Sequence, residues 1–146
     1  MSDADRYFGV GTVAGEPAGS GRYLELEDIE PVEFLAGLVF RPVLTDEQLV
    51  NFVHYEPHTV VPQHTHVEQQ ITFVLEGEFE FSLAGDVRTL RKRTVAVIPP
   101  WVPHAARTYD NTCLQVDIFV PPRAVLAEVI RSRLAAQPEQ SASPTG

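Results

Sequence analysis

The chain has one cysteine, few basic residues and no long apolar run. Cys113 has no partner for an intramolecular disulfide, and we expect it to be a small buried apolar residue rather than a catalytic thiol. The 11 Lys and Arg against 20 Asp and Glu give a net charge of −9, which argues against nucleic acid or an anionic membrane as the main partner. No apolar run is long enough to span a bilayer, and the polar start lacks the apolar segment of a signal peptide, so we expect a cytoplasmic protein.

Helical periodicity is also scarce. Residues 22–120 contain many short strand-like segments separated by turn residues, with no helical segment between them. The turn signals include Pro57, Gly77 and residues 84–86. Such close spacing of strands is typical of an all-β sandwich or barrel. Only residues 122–136 have helical spacing, which predicts one short C-terminal helix.

The length of 146 residues fits one domain with a sizeable core. We place that domain at residues 22–136. The Gly- and Ala-rich residues 1–21 predict a flexible arm or an edge strand. The polar, Pro- and Ser-rich residues 137–146 predict a disordered tail.

Two histidines, two residues apart, precede a strand-like run. Side chains at i and i+2 of a strand point to the same face, so the imidazoles of His64 and His66 would converge on one point, as the ligands of a metal ion must. Gln70 is a third donor, and His104, after a Pro-rich stretch, is a fourth. The pattern predicts a divalent metal site inside a small β-barrel.

The spacing of these four residues and of Gly77 resembles the two motifs of the cupin superfamily, and the resemblance covers roughly residues 59–108. It implies a jelly-roll β-barrel in which three histidines and a glutamate bind a divalent metal. Carried to this sequence, the ligands are His64, His66, Gln70 and His104. Glutamine replaces the usual glutamate, so the site loses one negative charge. Gln70 either coordinates the metal itself or forms a hydrogen bond to one of the metal's ligands.

A second departure from the cupin pattern lies before the second motif. The family's Pro-Gly-Asp is here Lys92-Arg93-Thr94. Without the glycine, we expect this turn either to avoid positive φ or to reach it with strain.

Two further histidines lie close to the first motif. His58 follows Pro57 at a turn, and we expect it at the barrel rim. His54 comes level with His64 if the chain folds back at that turn. The sequence does not settle which face of its strand His54 occupies, so it is a candidate fourth imidazole ligand or catalytic base, or else a partly exposed strand residue.

The segment QVDIFVPPR is similar to the corresponding part of two groups of small bacterial cupins. One group converts unsaturated uronate sugars, and the other comprises aromatic polyketide cyclases of actinomycetes. In the first group an Asp and an Arg help catalysis, which nominates Asp117 and Arg123 as catalytic residues here. An apolar pocket suits an oligoketide better than a sugar. We expect part of the aromatic surface to line the pocket and part to belong to the sandwich core, and this surface comes from Phe40, Phe73, Phe79, Phe81, Trp101 and Phe119.

These features favour a metal-dependent polyketide cyclase that performs aldol-type cyclisation and aromatisation of a poly-β-keto chain. Zinc is the expected metal because it has no redox states of its own, and Ni²⁺ and Fe²⁺ are the alternatives. The other functions left open are a uronate-isomerising enzyme, an Fe(II) dioxygenase and a ligand-binding protein without turnover. The expected partner is a small polyketide-like molecule, and the N-terminal arm leaves room for a homodimer.

Overall fold

Antiparallel strands dominate the chain. The computed structural model describes residues 1–9, 11 and 15–136. The described part contains two α-helices, a 3-10 turn at Leu26–Asp28 and nine strands. The helices are α1 (Asp3–Phe8) and α2 (Ala124–Ala136), and the strands are β1 (Val32–Leu35), β2 (Leu38–Leu44), β3 (Leu49–Tyr55), β4 (Val60–His64), β5 (Gln69–Leu83), β6 (Asp86–Arg91), β7 (Val95–Ile98), β8 (His104–Arg107) and β9 (Cys113–Val120).

The strands form one curled antiparallel sheet in the order β1-β2-β3-β9-β5-β8-β4, with β6 and β7 also paired to β5. The first half of β5 pairs with β9 and β7, and its second half pairs with β6 and β8. The two halves of β5 therefore belong to the two walls of a jelly roll. This arrangement confirms the predicted all-β jelly-roll class, and α2 confirms the predicted C-terminal helix.

The change of wall within β5 occurs at Gly77. The pairing of β5 with β9 shifts register between Val74 and Glu76, which marks a bulge, and Gly77 follows with φ 75°. A Cβ at Gly77 would collide with the backbone carbonyl oxygen of Thr112. Bulges let one strand bend from one sheet into another. The prediction of a turn at Gly77 between two strands is therefore wrong, because the residue lies inside one 15-residue strand.

The N-terminal residues contain a short helix rather than a strand. The Ser2 hydroxyl accepts a hydrogen bond from the Asp5 N–H, and the Asp5 carboxylate accepts one in return from the Ser2 N–H, which forms a capping box for α1. Within the described part of residues 1–21 there is no strand, so the edge-strand alternative is not found there. Residues 137–146 lie outside the described residues. Among the helices that the structure describes, none is long and apolar enough to cross a bilayer.

Two apolar clusters make up the core. The larger lies between the sheet walls and includes Val53, Tyr55, Phe79 and Ile98. In the smaller, Leu126 and Ala127 of α2 pack with Leu49 and Phe119. Burying a side chain the size of Leu or Phe contributes about 1.5–3 kcal/mol, so the second cluster holds α2 against the sheet.

The turn before β7 reaches positive φ without glycine. Arg93 has φ 74°, which is one of the two alternatives that the sequence leaves open. The left-handed region costs an L-residue roughly 1–2 kcal/mol. The turn is therefore strained at Arg93.

Cys113 is buried, as expected, at 1% exposure at the start of β9. Burial, together with the charge of Glu78, raises the pKa of its thiol to about 12. Because the thiolate is the reactive form, we predict that Ellman's reagent at pH 8 does not modify the folded protein but titrates one thiol after unfolding in guanidinium. Rapid reaction of the folded protein would contradict this placement.

Candidate metal centre and cavity

Three histidines from two neighbouring strands converge at one end of the barrel. His64 ends β4, His104 begins β8, and the two are direct partners in the β4–β8 pairing. His66 follows two residues after His64 in the loop that leads into β5. One ligand nitrogen from each ring lies within 4.8 Å of the others. The structure thus brings together the three histidines that the sequence nominates.

Each of these rings is oriented by a backbone carbonyl through its Nδ1 atom. The distances are 2.8 Å from His64 to Pro62 O, 2.9 Å from His66 to Glu68 O and 2.9 Å from His104 to Val102 O. A carbonyl only accepts, so each Nδ1 carries the proton and donates it, and each Nε2 is left with a free lone pair. The three rings are held in the tautomer that binds metals through Nε2.

Lone pairs face one another across the cluster. His66 Nε2 lies 3.2 Å from His104 Nε2 and 3.0 Å from Gln70 Oε1. In this tautomer none of these three atoms can donate a hydrogen bond, so the arrangement repels itself unless a cation lies between them. Ligands held about 2.1 Å from one ion lie about 3.0 Å apart at a right angle and about 3.4 Å apart at a tetrahedral angle, so the 3.2 Å separation of the nitrogens fits one small ion. The donor set fits a divalent metal.

The imidazoles of His66 and His104 are also held neutral. Burial lowers the pKa of His104 to about 4, and it lowers the pKa of His66 as well. Neutral imidazole is the form that binds a metal, so both rings are ready for this role at pH 7.

Asp117 orients Gln70 toward the cluster. Its Oδ1 accepts three hydrogen bonds, from Gln70 Nε2 at 2.8 Å, Thr72 Oγ1 at 2.6 Å and Gln115 Nε2 at 2.7 Å. Because the Gln70 amide donates to Asp117, its oxygen points at His66. Burial raises the pKa of Asp117 to about 6, although the three hydrogen bonds oppose that shift. Asp117 Oδ2 has no hydrogen-bond partner among the described residues.

Glu68 links the loop that carries His66 to α2, a role that sequence reasoning missed. It is 2% exposed, and its Oε2 accepts a hydrogen bond from the Ala124 N–H at 2.9 Å. Its Oε1 lies 3.7 Å from Arg123 Nη1 and 3.8 Å from His66 Nδ1. Burial alone would raise the pKa of Glu68, but the backbone N–H groups and the charge of Arg123 outweigh it and lower the pKa. An ionised carboxylate therefore links the first turn of α2 to the loop that carries His66.

His54 is not brought to the cluster. Alternate residues of β3 are buried, with Val53 and Tyr55 facing inward, so His54 lies on the outer face. Its side chain is 39% exposed, and its Nε2 lies 3.3 Å from Glu56 Oε1. His58 is also at the surface, 3.0 Å from Asp110 Oδ1. The strand's two-residue alternation excludes His54 as a fourth ligand or base, and we leave it out of the proposed site.

The histidine cluster opens into an apolar cavity of about 300 Å³. Phe40, Phe81 and Phe119 line it, as the sequence predicts. Phe79 lies in the core, which agrees with the expectation that part of this aromatic set is sandwich core. Phe73 is not part of the lining and Trp101 is 63% exposed, so neither of these two contributes to the wall. Aliphatic and aromatic side chains from β1, β2 and α2 complete the wall: Phe34, Leu35, Leu38, Val125 and Leu126.

Few polar groups interrupt this wall. His64, His104, Gln70, Asp117 and Arg123 reach the cavity, so all the sequence-predicted site residues except His54 and His66 lie on its lining. Two polar residues that sequence reasoning missed also line it, Tyr55 of β3 and Gln115 of β9.

The fold and the site together define a cupin. Residues 51–119, which run from β3 to β9 and include His64, His66, Gln70 and His104, match the cupin domain family. The jelly roll and its inward histidines agree with that match, which identifies residues 51–119 as a cupin domain.

Among particular proteins, the chain is 38% identical over 74 residues to the H2HPP isomerase of Bacillus subtilis. That segment is 49% of this chain but only 30% of the isomerase, so the chain matches less than a third of that relative. The solved structure of KdgF from Halomonas sp. is 25% identical with a TM-score of 0.68, covering 73% of this chain and 99% of KdgF. The polyketide cyclase RemF from Streptomyces resistomycificus shares the fold at 18% identity and a TM-score of 0.64, covering 69% of this chain and 80% of RemF.

Proposed function

We propose that the chain is a zinc-dependent cyclase that closes and aromatises a ring in a short poly-β-keto chain by aldol chemistry. The observation that carries the proposal is the shared cavity: the Nε2 atoms of three imidazoles converge beside an apolar cavity that the carboxylate of Asp117 also lines. Similarity to a polyketide cyclase and to an isomerase supports chemistry that begins by removing a proton beside a carbonyl group.

In this proposal His64, His66 and His104 hold the metal through Nε2, and Gln70 adds its amide oxygen. The bound zinc would supply Lewis-acid polarisation of a substrate carbonyl. The chain's own contribution is orientation, since the three backbone carbonyls and Asp117 fix each donor before the metal arrives.

Asp117 is the proposed base. Three donors hold its Oδ1, which leaves Oδ2 as the oxygen that can accept a proton from the substrate. The apolar wall excludes bulk water, so the carboxylate is poorly solvated and its proton affinity is raised. Arg123, on the cavity lining and close to Glu68, presents a cation to a developing oxyanion.

The bond changes balance without an oxidant or reductant. A methylene between two carbonyls loses a proton to Asp117, and the resulting carbanion forms a carbon–carbon bond to a distant carbonyl carbon of the same chain. That carbonyl oxygen takes up the proton from Asp117 and becomes a hydroxyl group, which leaves as water together with the second hydrogen of the attacking carbon. Enolisation of the remaining ring ketones then gives the phenol. The cavity supplies proximity by holding the chain folded.

A second candidate is isomerisation of a compact carbonyl compound, which the local identity to H2HPP isomerase favours. The cavity, at about 300 Å³, lies at the lower end of the usual range of roughly 300–1,000 Å³, which suits a compact ligand. The first step is the same, but the proton then returns to a different carbon and no new carbon–carbon bond forms.

The test uses nonane-2,4,6,8-tetraone, a short chain in which a flanked methylene can close a six-membered ring. We expect zinc-loaded protein to accelerate formation of 1-(2,4-dihydroxy-6-methylphenyl)ethanone with loss of one water, followed by NMR and chromatography. Asp117→Asn keeps an oxygen for the Gln70 amide but loses the base, so we expect the rate to fall by about 10²–10⁴-fold with zinc content unchanged.

Asp86→Asn is the matched control, because that carboxylate is exposed at the start of β6, where it pairs with Arg88. It should leave the rate as in the wild type. An unaccelerated reaction with fully zinc-loaded wild type would refute the cyclase proposal. Proton exchange without ring closure would favour the isomerase.

A further inference from the structure

Tyr55 has a buried hydroxyl without a hydrogen-bond partner. The residue is 3% exposed, its side chain lines the cavity, and its hydroxyl makes no hydrogen bond to any described residue. The fully enclosed side-chain atoms that lack a partner are Asn51 Oδ1 and Gln115 Oε1. The Tyr55 hydroxyl is not among them, so it keeps access to the space beside it, which is the cavity.

Buried tyrosine hydroxyls usually find a partner, because an unpaired one has lost its hydrogen bond to water. Even the exposed Tyr109 has a protein partner, since its hydroxyl donates to Glu80 Oε2 at 2.8 Å. The unpaired hydroxyl of Tyr55 is therefore a group that a ligand in the cavity can satisfy.

The surroundings of Tyr55 make it a donor. Burial, and next the charge of Asp117, raise its pKa well above the ordinary value, so the phenol keeps its proton. Tyr55 pairs with Cys113 of β9, and Gln115 and Asp117 follow two and four residues further along that strand. Tyr55 and the proposed base line the same cavity.

We propose that Tyr55 is a substrate-binding residue whose hydroxyl donates a hydrogen bond to a second oxygen of a ligand that already has one oxygen at the histidine cluster. This binding role rests on the proposed function, because it assumes that the first oxygen of the ligand lies at a metal held by the three histidines. It narrows the substrate class to molecules with two oxygen functions separated by a short carbon spacer, such as 1,3-dioxygenated rings and β-diketones. A ligand with one oxygen leaves the Tyr55 hydroxyl unpaired in the complex.

Resorcinol and phenol provide the test, since they differ only by the second oxygen and neither can chelate one metal ion through both oxygens. We expect zinc-loaded wild type to bind resorcinol more tightly than phenol in NMR titrations. Tyr55→Phe removes only the hydroxyl, and we expect it to weaken resorcinol binding by about five- to tenfold while phenol binding and zinc content stay the same.

Tyr109→Phe is the matched control, because it deletes a hydroxyl outside the cavity and should change neither affinity. The proposal is overturned if Tyr55→Phe binds resorcinol as the wild type does, if it weakens both ligands equally, or if the wild type does not distinguish them. No turnover is needed, so a failure to cyclise the tetraone combined with the expected loss in Tyr55→Phe would reject the cyclase reaction and keep this binding role.

Discussion

His66→Ala is expected to lose stoichiometric zinc binding, whereas His54→Ala is expected to keep it. The His66 Nε2 lies 3.2 Å from His104 Nε2 and 3.0 Å from Gln70 Oε1, so its removal takes one donor from the centre of the cluster. Loss of groups that merely orient a ligand typically costs about 10–100-fold in metal affinity, and loss of a ligand itself should cost more than about 100-fold. His54 lies on the outer face of β3 beside Glu56 and should have no effect.

Metal analysis and calorimetric titration of the apoprotein measure this difference. At zinc about 1,000 times the dissociation constant, binding should add about 4 kcal/mol to the free energy of unfolding of the wild type and of His54→Ala. The stabilisation should fall to about 1.4 kcal/mol or less in His66→Ala. Equal zinc binding by all three proteins would contradict the assigned centre. Iron in place of zinc in protein purified without added metal would favour the dioxygenase alternative.

Gly77→Ala is expected to destabilise the fold far more than Gly85→Ala. Both glycines have positive φ, at 75° and 84°. An alanine at either position carries the cost of the left-handed region, about 1–2 kcal/mol. At Gly77 the new Cβ would also collide with the carbonyl oxygen of Thr112, whereas at Gly85 it meets nothing within 4 Å. We expect a loss of about 3 kcal/mol or more at Gly77, since backbone on the neighbouring strand must move.

Urea denaturation of the two variants separates backbone conformation from steric collision. The Gly85→Ala result gives the conformational cost alone, and the excess at Gly77 gives the cost of displacing β9 from β5. Equal destabilisation by the two substitutions would show that β9 can yield at the bulge without loss.

The metal cluster could be predicted because its signal is local. His64 and His66 are two residues apart, and donor-type residues at fixed spacings follow them. The face of β3 could not be predicted in the same way. Its outer residues Val50 and Phe52 are as apolar as the inner residue Val53, and the inner face carries the polar Asn51, so the two-residue pattern of hydrophobicity does not distinguish the faces.

The ambiguity on β3 explains why sequence reasoning retained His54 and overlooked Tyr55, which are neighbours in the chain.

The role of Glu68 could not be predicted for a different reason. Its partners are the Ala124 N–H and Arg123, more than fifty residues away, and only the packing of α2 on the sheet brings them together. The bend at Gly77 could not be predicted from the sequence either, because a glycine followed by strand-like residues is equally typical of a turn and of a bulge.

The three carbonyls that orient the imidazoles belong to the main chain, at Pro62, Glu68 and Val102. A carbonyl is present whichever amino acid occupies a position, so side-chain substitution in these loops does not delete it as long as the backbone path is kept. The residues that shape the cavity on β1, β2 and α2 contact a ligand through their side chains and can be exchanged one by one. In evolutionary terms, the reaction centre is robust to sequence drift while the recognition surface is free to diversify. Chains of this architecture can therefore acquire new substrates without rebuilding their metal cradle.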